Sequence, residues 1–238
     1  MSLWKSYGAS VRGPGHMATG VPNQDAWASF HRVWGDGIVV SDGVGSKPFS
    51  NVGSDAACFA VKQAACAWRD DPDSAPHVLL GHIRSLWLSS VAPLAPSDCA
   101  ATCLFAFRLR DLLHMGMLGD GLAAAIRSDG SVLSLVEDKS QGFSNITMAL
   151  SPSVSPQDWR YVSLPVAECT AVLLCTDGVS DDLDNPDGFV SGLVDACRPL
   201  AAASASRHMR YMLGNWPTPR HTDDKTIACL YREEATYE

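Results

Sequence analysis

The chain has 238 residues, of which 46% are apolar and 18% charged, with a formal net charge of −8. A chain of this length buries roughly 70–75% of its unfolded surface, which makes residues 1–238 a natural single domain and excludes a disordered class. The acidic balance argues against a nucleic-acid surface; no apolar run reaches membrane-spanning length and Met1-Ser2-Leu3-Trp4-Lys5 has no leader core, so a cytoplasmic monomer without a membrane partner is expected.

In chain order, residues 4–12 alternate polar and apolar and predict a strand ending at Arg12. Gly13-Pro14-Gly15-His16 and Gly20-Val21-Pro22 read as loop, and Asn23 to Phe30 alternates again as a strand. A Gly35-Asp36-Gly37 turn is expected next. Ser50 or Asn51 is placed to cap a helix running to Trp68, stopped near Asp71-Pro72, and His77 to Val91 predicts a second helix. Strand patterns then cover 100–109 and 113–118, a hairpin pairs 122–126 with 132–136 around Ser128-Asp129-Gly130, and 161–164 and 171–175 read as strands. Helices are expected over Phe189–Cys197 and Ala201–Leu213, and a closing strand over Thr226–Tyr231. Strands with helices inserted in pairs, without regular β-α alternation, indicate an α+β fold with largely antiparallel sheets.

The eight cysteines raise a zinc or disulfide reading. Most lie within apolar runs, and the closest pair, Cys99 and Cys103, has no partner pair at finger spacing. Buried reduced thiols are the simpler account.

The most informative stretch is Gly37-Ile38-Val39-Val40-Ser41-Asp42-Gly43-Val44-Gly45, a β-branched run that ends on an aspartate and a glycine turn. An Asp-Gly after an apolar run also suits an ordinary turn. The chain repeats the construction at Val172-Leu173-Leu174-Cys175-Thr176-Asp177-Gly178-Val179, which could bring two carboxylates to one end of one sheet. Asp25, Asp120 and Asp223 lie at further strand edges or turns. Carboxylates and backbone carbonyls suit Mg²⁺ or Mn²⁺, whereas zinc would favour His and Cys. The bland reading is a set of turn-forming aspartates that cap loops.

Asn23-Gln24-Asp25, Ser41-Asp42-Gly43, Leu118-Gly119-Asp120, Cys175-Thr176-Asp177-Gly178-Val179-Ser180-Asp181 and Asp223-Asp224-Lys225-Thr226-Ile227, in that order, resemble the metal-dependent PP2C-type protein serine/threonine phosphatases, bacterial branch. The resemblance runs from about Ser10 to Tyr231. It implies a four-layer α-β-β-α sandwich of two antiparallel sheets flanked by helices, with a binuclear metal centre at one end. Carried over by position, Asp42 would bridge two Mn²⁺ or Mg²⁺ ions and the Gly43 carbonyl would bind one of them. Asp177 and Asp223 would hold the other, Asp120 would serve a looser third ion or its waters, and Asp25 would hydrogen-bond water at the metals. Asp181 and Asp224 are read as structural support, and the segment Ser144–Met148 as family-like without assigned chemistry. The connection between Leu150 and Tyr161, where the family often carries a flap, is short, which implies an open substrate cleft.

The departures bear on function. The family usually has Glu where this chain has Gln24, and a neutral amide binds a hard cation more weakly. The usual phosphate-binding Arg falls at Gly20. Arg12 offers a bidentate fork for phosphate or is a solvated strand-end charge. His16 could donate a proton to the leaving alkoxide or bind phosphate, or it is a loop histidine bonded to backbone. The activity implied is hydrolysis of phosphoserine and phosphothreonine in proteins, the targets of a Ser/Thr kinase, by a water activated between two metals. A catalytically weak relative that binds or regulates phosphorylated partners is the second reading, and hydrolysis of a small phosphorylated metabolite the third.

Overall fold

The central strands are buried at nearly every position, because in a fold with helices outside two sheets both faces of each strand find a core. The computed structural model describes residues 3–136, 148–217 and 222–233, so all of the segment 144–148 except Met148 lies outside the described residues. The strands are β1 (Trp4–Val11), β2 (Ala26–Arg32), β3 (Gly35–Ser41), β4 (Cys103–Leu109), β5 (Leu112–Leu118), β6 (Leu122–Arg127), β7 (Val132–Val136), β8 (Arg160–Pro165), β9 (Cys169–Cys175) and β10 (Lys225–Arg232). The helices are α1 (Pro14–Thr19), α2 (Ser50–Trp68), α3 (Pro76–Val91), α4 (Asp177–Ser180), α5 (Pro186–Cys197) and α6 (Ala202–Gly214).

The strands form two five-stranded sheets, ordered β1-β10-β9-β6-β7 and β2-β3-β4-β5-β8, with antiparallel neighbours throughout. Ile38 and Val40 of β3 point between the sheets with Leu104, Met115, Val172 and Leu230. Val39 points the other way, into a layer with Phe105, Phe107 and the inner faces of α2 and α3. Across the sandwich, Leu173, Ile227 and Cys229 meet Val190, Val194, Met209 and Leu213 of α5 and α6. The result is the expected α-β-β-α stack. Small residues Ala56, Ala57, Ala60 and Ala64 line the buried side of α2, which lets that helix lie close to its sheet. Seven of the eight cysteines are buried and all are free thiols, as the apolar runs around them imply; Cys66 is half-buried. Among the described residues no helix is long and apolar enough to cross a membrane.

Three local expectations are corrected. Pro14-Gly15-His16, read as loop, instead open α1, because Pro14 sets the first helical φ and Gly20, at φ 75°, closes the helix in a left-handed cap. The Gly35-Asp36-Gly37 turn is instead the start of β3, and the reversal falls at Val33-Trp34. Asp36 is held in the strand by Arg108, whose Nε and Nη2 donate to Oδ2 at 3.0 and 2.7 Å, and by His31 Nδ1 at 2.8 Å from Oδ1. Neither Ser50 nor Asn51 caps α2: Ser50 is its first residue, and the cap position is Phe49 with no side-chain bond.

The antiparallel register fixes which loops share an end. Ala26 pairs with Ser41, and Cys175 pairs with both Ile227 and Leu122. The loops carrying Asp25, Asp42, Asp120, Asp177 and Asp223 therefore emerge together.

At the helix-sheet layer, His114 stacks on Phe107 with centroids 5.1 Å apart, meets Trp68 edge-on at 6.4 Å, and has Nδ1 2.5 Å from the Tyr161 hydroxyl. Burial pushes its imidazole down to about 4. The unfolded chain binds this proton as pH falls below about 6.5 while the native state refuses it, so His114 removes stability as pH drops through that window. His114→Phe should make the loss of unfolding free energy between pH 7.5 and 5.0 smaller by about 2 kcal/mol, measured by urea unfolding at both values. Equal losses in the two proteins would show that His114 is not the titrating group.

Candidate metal centre

Asp42 follows β3 directly. Its backbone is clamped to the β4 entry, where its N–H donates to Thr102 Oγ1 at 2.9 Å and its carbonyl accepts from Thr102 N at 2.8 Å. Ser41 Oγ adds a bond to Thr102 O at 2.6 Å. Gly43 continues the turn, its N–H donating to Gln24 O at 3.1 Å. A Cβ there would lie 2.6 Å from Ser50 O, so only glycine lets the turn press against the start of α2.

Carboxylate oxygens of Asp42, Asp120 and Asp177 lie within 4.8 Å of one another. Asp177 opens α4, and Asp120 sits in the β5–β6 connection. Asp25 is buried next to Asp42, with Oδ2 accepting from Thr176 Oγ1 at 2.9 Å. Both carboxyls of the Asp25–Asp42 pair are pushed up, chiefly by burial. Hydrogen bonds to Asp42, Thr226 and Thr176 moderate the rise at Asp25, while the charges of Asp25, Asp177 and Asp223 add to it at Asp42.

This crowding tests the fit of a hard cation. Oxygen donors converge, and their mutual repulsion is the electrostatic condition that a divalent ion relieves. Gln24 adds a second observation: its side chain is buried and Oε1 has no hydrogen-bond partner among the described residues. The donor set suits Mn²⁺ or Mg²⁺ and offers neither thiolate nor a cluster of imidazoles for zinc.

A second cluster joins His16, Asp223 and Asp224. Asp224, read from the sequence as support, is the hub of the entrance. Its Oδ1 accepts from Gly13 N at 2.7 Å, and its Oδ2 accepts from Gln24 N at 2.6 Å and faces His16 Nδ1 at 2.9 Å. A carboxylate oxygen only accepts, so His16 donates from Nδ1. Asp223 is more exposed, 3.8 Å from His16 Nδ1, and accepts from the Asp224 N–H at 2.8 Å. Its backbone carbonyl accepts from Lys225 Nζ at 3.0 Å. Burial pulls the Lys225 ammonium down, against the charges of Asp182, Asp223, Asp25 and Asp177.

The structure thus gathers Asp42, Asp120 and Asp177 in one group, with Asp25 and Gly43 against it, and His16 and Asp223 in the adjacent one. Arg12 is exposed and donates from Nη1 to Val21 O at 3.4 Å, which places its guanidinium on the loop after α1. Sequence reading missed Thr102 and Thr176. Each is a hydroxyl ending or entering an apolar strand run, a weak signal that becomes informative only once the partner aspartate is known.

Replacing Asp224 by Ala leaves the buried N–H groups of Gly13 and Gln24 without an acceptor. The variant should lose about 3 kcal/mol of unfolding free energy in urea titration. A loss under about 0.5 kcal/mol would mean that solvent reaches these groups and that Asp224 does not organise the entrance.

The family model described as protein phosphatase 2C matches residues 12–214. Comparison with curated protein sequences gives no match. Among solved structures, the PP2C phosphatase domain of SpoIIE from Bacillus subtilis, with a fragment of its regulatory domain, is 12% identical with a TM-score of 0.63. That alignment covers 99% of this chain and 65% of the SpoIIE chain, so the present chain spans less than two thirds of it. The catalytic domain of the serine/threonine phosphatase PstP, in complex with two manganese ions, is 16% identical, with a TM-score of 0.62 over 98% of this chain and 100% of that one. RsbX in complex with magnesium is 12% identical, with a TM-score of 0.62 over 98% and 100%. At these identities the likeness is one of fold.

Proposed function

Since this chain belongs to the protein phosphatase 2C family, we propose that residues 1–238 form a single metal-dependent phosphatase domain that hydrolyses phosphoserine and phosphothreonine in proteins. The observation that carries this reading is the convergence of Asp42, Asp120 and Asp177 within 4.8 Å at the end of the sandwich. Asp42, Asp177, Asp120, Asp223 and the Gly43 carbonyl are the proposed ligands. Mn²⁺ or Mg²⁺ fits them, in keeping with the ions that PstP and RsbX carry. When bound, such cations supply Lewis acidity, lowering the pKa of a water nucleophile and neutralising phosphate oxygens.

The protein's own groups have separate tasks. Asp25, fixed by Thr176 Oγ1, orients the water from the buried side of Asp42. His16, fixed through Nδ1 by Asp224, presents Nε2 as the proton donor to the departing seryl or threonyl oxygen. Arg12 stands at the mouth of the same loop, where its guanidinium meets an incoming phosphoprotein. A phosphorylated protein, the product of a Ser/Thr kinase, is the proposed partner. Gln24 and Gly20 favour the second reading, a slow relative that binds phosphorylated partners, and turnover separates the two.

The direct test is Mn²⁺-dependent release of phosphate from an aryl phosphate. Asp42→Asn and Asp177→Asn should each lower kcat by roughly 100-fold or more while leaving the thermal melt cooperative, because a carboxylate anchoring the reaction is replaced by an amide. Near-normal turnover in either variant at saturating Mn²⁺ would overturn the assignment. No turnover in the wild-type protein, with phosphoprotein binding retained, would support the second reading.

His16→Ala has a distinct expected signature. It should lower kcat by roughly 10²-fold on an alkyl phosphoserine peptide and far less on an aryl phosphate, whose leaving group needs no proton. Equal slowing of the two substrates would remove His16 from the role of acid.

A further inference from the structure

Beside the acidic centre the structure carries a second feature that the proposed chemistry does not use. A cavity of ≈ 240 Å³ is lined by Gly119, Met148, Gln157, Asp158, Trp159 and Arg160. Gly119 immediately precedes Asp120, so this space adjoins the carboxylate group of Asp42, Asp120 and Asp177. Arg160 is the first residue of β8 and pairs with Met117 near the end of β5, the strand that delivers Asp120. Antiparallel partners share a face, so the Arg160 side chain leaves the sheet on the same side as Met117, which belongs to the layer between the sheets.

Arg160 is half-buried, yet its guanidinium has no hydrogen-bond or ion-pair partner among the described residues. The acid nearest in sequence is already engaged: Asp158 Oδ2 accepts from Ser155 N at 2.7 Å and Ser155 Oγ at 2.9 Å. Trp159, buried with its ring 5.9 Å from Phe105, anchors the backbone on which Arg160 stands. A guanidinium has five donors and cannot discharge by losing a proton, so withdrawing it from water without a partner is costly unless an anion completes it. Half-buried, the side chain keeps some contact with water and still has donors that an anion entering the cavity can take.

We infer that the Arg160 cavity is a specificity subsite that receives the carboxylate of an Asp or Glu flanking the phosphoresidue of a protein substrate. This rests on the phosphatase reading, and it names the substrate class that reading leaves open: phosphoproteins with an acidic residue close to the phosphorylated side chain. The fork geometry of Arg160 matches a carboxylate in two parallel N–H···O bonds. The position beside Asp120 keeps that carboxylate within a residue or two of the phosphate, because one extended residue spans about 3.4 Å. The connection from Leu150 to Arg160 is short, and Gln157, on it and in the cavity lining, is exposed.

The test reads binding, not turnover. Non-hydrolysable phosphonate analogues of a phosphoserine peptide are compared in Mn²⁺, with Glu or Gln placed at each of the two positions on either side. Wild-type protein should bind the Glu form about tenfold more tightly than the Gln form at one or more of these positions. Arg160→Gln should bring that ratio close to one, and Arg160→Lys, which keeps charge but not the fork, should leave an intermediate ratio. Thermal melts check that both variants fold. Equal Glu and Gln affinities in the wild-type protein, or a ratio that survives Arg160→Gln, would overturn the subsite. So would an Arg160→Gln variant that weakens both peptides and phenylphosphonate alike, since Arg160 would then hold the phosphoryl group. Absence of aryl phosphate hydrolysis in the wild-type protein would count against the phosphatase reading alone, because the Glu-to-Gln ratio is measured without catalysis.

Discussion

Repulsion between carboxylates is the constraint on which the rest of this molecule depends. Asp42 is pushed well above the ordinary carboxyl range by burial and by the charges of Asp25, Asp177 and Asp223, and unrestrained loops would relieve that by moving apart. They are kept together by elements that have no freedom to move: three apolar layers, two sheets with paired strands, and hydroxyl clamps from Thr102 and Thr176. Core packing elsewhere offsets the electrostatic strain here, which is the ordinary way a fold sustains an unfavourable site. A divalent cation inverts the balance and turns the strain into affinity.

The two residues by which this chain departs from its family act on the same balance. Gln24 in place of a carboxylate lowers the negative charge of the centre, and the orphaned Gln24 Oε1 remains an oxygen donor of weaker field. Gly20, where the resemblance places an arginine, ends a short helix, and on that helix His16 is held by Asp224. Asp224 thereby links three events at one residue: the start of α1, the placement of Gln24 and the tautomer of His16.

Much of this was legible in the amino-acid order. The unbroken apolar runs of β3 and β9 marked both the strands and the aspartates at their ends, because such short runs suit strands covered on both faces. The site's main carboxylates were readable for the same reason: each follows or precedes a strand whose apolar run is unambiguous. What escaped was set by contacts distant in sequence. The helical state of residues 14–19 depends on Gly13 and Gly15 binding the 222–224 turn, some 200 residues away. Gly35-Asp36-Gly37 has the local chemistry of a turn, and pairing with β2 and β4, with Arg108 and His31 on the Asp36 carboxylate, keeps it in a strand. The role of Asp224 was hidden because a buried acceptor of backbone N–H groups looks, in sequence, like any loop aspartate. Arg160 carried no sequence signal, since its lack of a partner among the described residues is a property of space.

The seven buried thiols have a consequence of their own. Oxidants and alkylating agents attack the thiolate, and burial pushes the thiols of Cys58, Cys103, Cys175 and Cys229, among others, up and away from that form. These sulfurs are distributed over all three apolar layers. Each is therefore a silent clock for its own layer: it can react only during the rare moments when that layer opens to water, at a rate equal to the opening equilibrium multiplied by the intrinsic chemistry of a free thiol. Half-buried Cys66, on α2, runs continuously beside them as the reference that never stops.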